Sequence, residues 1–135
     1  MKFFSGDGAL FSWLTVPGHL CGWDTLVHGG VLSTIMDETM GWTAIHFIKK
    51  FAMTNSMTVE FLKPVRIGEN IRVEGRVVET DGRREATVEG LLYKDNDVLG
   101  VKAAGKFRLF TPAAIARLGV MDEESIKKFD FLLQP

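Results

Sequence analysis

The chain has 135 residues, 46% of them hydrophobic, with 16 basic and 17 acidic side chains and a net charge of −1. That is the length of one domain, enough to bury roughly two thirds of the unfolded surface without a disulfide or metal. The charge balance excludes a broad electrostatic footprint for nucleic acid. The single cysteine, Cys21, excludes an internal disulfide framework and any multi-cysteine metal site, and fits a reducing, cytoplasmic setting.

At the N-terminus, Gly6-Asp7-Gly8 interrupts the chain before the apolar core of a signal peptide could form. Residues 9–16 are rich in strand formers and end at Pro17-Gly18, and Phe3-Phe4 can pair with them across the Gly6-Asp7-Gly8 turn. Residues 17–27 read as an irregular loop. From His28 to Ile48, apolar side chains cover nearly the whole helical wheel, which predicts a helix wrapped by a sheet. Asp37, Glu38 and His46 make this stretch too polar to span a bilayer, and no membrane partner is expected.

Strands follow at 53–62, 70–79, 84–94 and 98–110; the second alternates Ile71, Val73, Gly75 and Val77 with Arg72, Glu74 and Arg76. Turns at Thr80-Asp81-Gly82-Arg83 and Asp95-Asn96-Asp97 suggest an antiparallel meander. Thr111-Pro112 opens a short helix to Gly119, and Asp122 caps another through Phe131, both peripheral. The predicted fold class is α+β, a curved antiparallel sheet around one long helix in a single domain over residues 1–135.

Chemistry concentrates at 28–42. Gly29 and Gly30 open the long helix, where unpaired backbone N–H groups and the positive dipole end lie. Without a Cβ, a ligand oxygen can approach these donors closely, as an oxyanion site requires; a tight turn that needs glycine is the alternative. Asp37 lies among Ile35, Met36, Met40 and Ala44, where a carboxylate is costly unless paired or hydrogen-bonded. Asp37 suits a general base; a carboxylate at a wet helix edge, or in an ion pair, is the alternative for it and for Glu38. Gly30 and Asp37 are seven residues apart, on one helix face but separated by about 10.5 Å. A reacting carbon must lie about 3 Å from both donor and base, so one helix cannot supply both. Two antiparallel helices across a twofold axis can, with Gly30 of one chain facing Asp37 of the other. Gly41 would let another backbone approach.

His28-Gly29-Gly30, six intervening residues, Asp37-Glu38 and Met40-Gly41-Trp42, followed by Phe61-Leu62-Lys63-Pro64-Val65 and Gly68-Glu69, resemble the hotdog-fold thioesterases. The similar branch is the PaaI-type and 4-hydroxybenzoyl-CoA thioesterase-like one, over about 22–110. The resemblance implies an acyl-CoA thioesterase working as a homodimer and expected as a homotetramer, with no cofactor beyond the coenzyme A of its substrate and no metal. It implies Asp37 as catalytic carboxylate, acting as general base or nucleophile, Gly30 as N–H donor to the thioester carbonyl, His28 as shaper of that turn, and Thr54 as holder of the attacking water. Gly29 and Glu38 would adjoin the substrate, while Met36, Met40, Trp42 and Phe61 would line an acyl pocket. Lys63, Arg66, Arg83 and Arg84 would form the rim for the nucleotide; ordinary solvated charge is the alternative, and the favoured one for each taken singly. The upstream loop, 21–27, lacks the Asn or Gln that some relatives use on the carbonyl. Competing readings are a non-catalytic acyl-CoA-binding hotdog module and a hotdog dehydratase or hydratase.

Overall fold

The computed structural model describes residues 1–134. Its elements are β1 (Phe4–Gly6), β2 (Ala9–Leu14), α1 (Gly29–Ile48), β3 (Phe51–Phe61), β4 (Ile71–Thr80), β5 (Glu85–Lys94), β6 (Val98–Phe110), α2 (Pro112–Leu118), α3 (Glu123–Lys127) and α4 (Asp130–Leu133). All six strands join one antiparallel sheet in the order β1-β2-β4-β5-β6-β3. The curved sheet around one long helix is the hotdog arrangement. The expected β1–β2 hairpin forms, and Asp7 and Gly8 take the positive φ values, 49° and 75°, that suit a two-residue hairpin turn.

The expected meander holds only for β4–β5–β6. The nine residues after β3 are not a tight turn: they carry the chain across the sheet, so β3 pairs with β6 and ends as an edge, while β4 pairs with β2. The helix is also less uniformly apolar than its letters suggest. Its buried stripe is Leu32, Ile35, Met36, Thr39, Met40, Thr43 and Ala44, a spacing of three and four that faces the sheet. The two threonines fit this core because their hydroxyls donate to Ile35 O and Thr39 O, at 2.8 and 2.6 Å.

Glycines let α1 sit close to the sheet. A Cβ at Gly75 would overlap the Thr43 hydroxyl and lie 3.2 Å from Thr39 O. One at Gly90 would meet mainly Met36 Cε, at 2.8 Å, the free end of a flexible side chain. Gly75→Ala should therefore destabilise the chain by about 1–3 kcal/mol, and Gly90→Ala by less. Denaturant midpoints measure this; an unaffected Gly75→Ala would mean that α1 lies farther from β4.

The C-terminal helices pack as a small satellite beside the main core. Thr111 caps α2 by accepting from Ala114 N–H at 3.2 Å, and Asp122 caps α3 by accepting from Ser125 N–H at 2.7 Å. The helix expected through Phe131 breaks after Lys127 and resumes at Asp130. The break sets Phe129 against Phe51, at 5.7 Å between ring centroids, and against Trp42, at 6.2 Å. Phe51, Ile115 and Ile126 form a second small core there. No helix of the described residues is long and apolar enough to cross a membrane.

Candidate active site

Each chain carries two separate groups of candidate residues, one at the start of α1 and one two turns along it. At the start, His28 is the N-cap, and its Nδ1 accepts from Gly30 N–H at 2.9 Å. Ser33 and Thr34 hydroxyls donate back to Gly29 O and Gly30 O, at 3.0 and 2.9 Å, fixing the first turn. His28 thus caps the turn and in doing so occupies the Gly30 donor. Gly29 N–H, by contrast, has no acceptor among the described residues. Phe61 is brought here, its Cζ lying 3.6 Å from where a Gly29 Cβ would be. Arg66 is held beside the same loop through its bridge to Leu26 and a 3.3 Å hydrogen bond from Nη1 to Thr25 Oγ1.

The second group centres on Asp37. Thr54 Oγ1 donates to Asp37 Oδ1 at 2.6 Å, and Oδ2 has no partner among the described residues. Asp37 is half-buried, which the hydrogen bond makes tolerable. A β-bulge positions Thr54: the register against β6 shifts between Thr54 and Ser56. Thr54 pairs with inward-facing Phe107, and Met57 pairs with Gly105, also on the inner face. Three residues apart in a regular strand, Thr54 and Met57 would face opposite ways; the extra residue, Asn55, puts both on the helix side.

Glu38 is exposed and accepts from Trp42 Nε1 at 3.1 Å, so it holds an indole in place. A cleft of about 220 Å³ opens beside Asp37, Glu38 and Thr54, bounded by Gly41, Trp42, Ile45, Ala52 and Phe107. Sequence reasoning missed Ala52, Ile45 and Phe107 as cleft residues, because their letters read as ordinary core. Gly41 does not serve a backbone approach within the chain; a Cβ there would reach the Phe107 ring at 3.8 Å.

One expectation fails here. Met36 and Met40 do not line an accessible pocket: both are fully buried beneath the sheet, against the glycines of β5 and β6. Within one chain the basic residues lie at opposite ends of β5 and β6. Arg66 and Lys63 lie near the β5–β6 turn, since Lys63 N–H donates to Gly100 O, whereas Arg84 O accepts from Leu109 N–H at the other end of those strands. The turn holding Arg83 and Arg84 is rigid. Asp81 Oδ1 accepts from the N–H groups of Arg84, Arg83 and Glu85, which lowers its carboxyl to about 2. No three His, Cys, Asp or Glu side chains among the described residues gather to hold a metal ion.

An acidic oxygen at a cleft, a hydroxyl fixed to it, and backbone donors two turns away at a helix start are the parts of a water-driven acyl hydrolysis. The chain is 28% identical over 97 residues to acyl-coenzyme A thioesterase THEM4 of Xenopus laevis, an alignment covering 71% of this chain and 43% of that protein. It thus spans about two fifths of that relative's length. A hypothetical thioesterase of Streptococcus pneumoniae, solved with coenzyme A, superposes with a TM-score of 0.75 at 18% identity, covering 82% of this chain and 85% of that one. PaaI of the Escherichia coli phenylacetic acid degradation operon superposes with a TM-score of 0.72 at 18% identity, covering 81% and 78%. The family model of the thioesterase superfamily matches residues 25–101, more than half of the chain, and this chain is a member of the thioesterase superfamily.

Proposed function

We propose that this protein hydrolyses the thioester of an acyl- or aryl-CoA to the free acid and CoA, as a cytoplasmic homodimer that assembles further into a homotetramer. The observation that carries the reading is the 2.6 Å hydrogen bond from Thr54 to Asp37 on an open cleft. It fixes one carboxylate oxygen and leaves the other to take a proton from water. The related THEM4 is named an acyl-coenzyme A thioesterase, and the streptococcal structure holds coenzyme A.

The two half-sites of one chain lie about 10.5 Å apart along α1, so each needs a partner. β3 supplies the means: it is eleven residues long, ends the sheet as an edge, and exposes Met53 and Phe61. Such an edge invites pairing. Antiparallel pairing of two β3 strands across a twofold axis sets the helix start of one protomer against Asp37 of its partner. It also brings the Arg66 end of one protomer toward the Arg83–Arg84 end of the other, restoring a basic rim for the nucleotide.

In this arrangement the carbonyl oxygen displaces the His28 imidazole from Gly30 N–H and accepts that hydrogen bond, with Gly29 N–H adjacent. Asp37 takes a proton from water oriented by Thr54. The water oxygen bonds to the carbonyl carbon, the C–S bond breaks, and the thiolate takes the proton from Asp37, leaving free acid, free CoA and the carboxylate as at the start. No cofactor enters beyond the coenzyme A of the substrate. Free-thiol release from a panel of aryl, short-chain and long-chain acyl-CoAs tests this reading. One thiol per thioester consumed is expected; tight binding without release would instead establish a non-catalytic acyl-CoA module.

A further inference from the structure

Two clefts of equal size share a wall of two side chains, Trp42 and Ile45. The first, about 220 Å³, holds Asp37 and Thr54. The second, also about 220 Å³, is lined by Phe3, Ser5, Leu10, His46 and Leu132. Trp42 and Ile45 line both. Each cleft alone is smaller than the roughly 300–1,000 Å³ usual for small-molecule sites, and the two joined fall within it.

Trp42 is anchored as a wall would be. Its Nε1–H donates to Glu38 Oε2 at 3.1 Å, one helical turn back. Its ring stacks on Phe129 at 6.2 Å with an interplanar angle of 30°, and Phe129 rests in turn on Phe51. These contacts come from α1 itself and from the break between α3 and α4, so the indole is fixed from two directions. Beyond it, Phe3, Leu10 and Leu132 offer an apolar chamber without a carboxylate. His46 on its rim is held below the ordinary histidine value, first by burial and then by Lys49.

We infer that Trp42 is the specificity-determining partition of the acyl site: it confines the acyl group to the cleft beside Asp37 and closes off an apolar chamber that would otherwise admit a longer chain. This rests on the thioesterase reading above. It makes the wild-type enzyme one for short or aryl acyl groups, and it assigns Glu38 to positioning the indole.

The test compares kcat/KM for butanoyl-CoA and dodecanoyl-CoA in the wild-type protein, in Trp42→Ala and in Trp42→Ala with Leu132→Trp. Removing the indole should raise the dodecanoyl-to-butanoyl ratio by about tenfold or more, a factor that a few buried methylenes supply. Refilling the second chamber with Leu132→Trp should return the ratio toward the wild-type value. If Trp42→Ala fails to fold, Trp42→Leu keeps the core filled while opening the wall and should move the ratio the same way. A ratio unchanged in the soluble Trp42 variants, or a gain that Leu132→Trp does not reverse, overturns the partition while leaving hydrolysis intact. Hydrolysis of neither thioester, nor of any aryl-CoA, by the wild-type protein removes the thioesterase reading and the partition with it.

Discussion

Asp37→Ala and Asp37→Asn should each lower thioester hydrolysis by at least about 10²-fold, the usual scale for a positioned acid–base group. Asparagine keeps the size and can still accept from Thr54, so its failure would isolate the charge and basicity of the carboxylate. Asp37 is half-buried and accepts a hydrogen bond from Thr54; loss of folding should therefore contribute little, and a thermal melt checks that directly. Thr54→Val removes the hydroxyl at nearly constant volume. It should act mainly on kcat, because the hydroxyl orients water and the carboxylate rather than holding the acyl group. Wild-type turnover by folded Asp37→Ala would end this mechanism.

The helix, the hairpin and the strand positions were legible in the sequence because each follows from local rules. Period two over 71–77, Asp-Gly at a hairpin tip and a cap-and-proline pair at 111–112 state their structure within a few residues. The place of β3 was not legible. It depends on which edge a nine-residue connection reaches, which is a property of the whole sheet. Asp37 was legible through its cost: a carboxylate among Ile35, Met36 and Met40 needs a reason to be there. The burial of Met36 and Met40 was misread because neighbouring helix positions share apolar letters, while their direction is decided by where Gly90 and Gly105 leave room. Thr54 was reachable only by resemblance. Its inward direction depends on the bulge at Asn55, and nothing in Met-Thr-Asn-Ser-Met announces an unpaired residue. Phe129 was hidden for a related reason, since its role arises from a break within what reads as a single helix.

The composite site carries the most decisive expectation. Asp37→Ala disables the base and leaves the helix start intact. Gly30→Val does the reverse: a Cβ at Gly30 lies 3.0 Å from His28 Nδ1 and 3.2 Å from its Cε1, so the branched side chain displaces the imidazole and covers the first-turn donors. Each homodimer should be nearly inactive. If every site takes its carboxylate from one protomer and its donors from the other, a heterodimer of the two variants has one site with both defects and one with neither. Random exchange of equal amounts makes half of the dimers heterodimers, so activity should recover to about a quarter of the wild-type level. Sites contained within one protomer would give no recovery, because every chain carries a defect. Differently tagged chains, purified as heterodimers after unfolding and refolding together, separate these outcomes. Inactive purified heterodimers would refute the shared site, even if each chain still dimerised through β3.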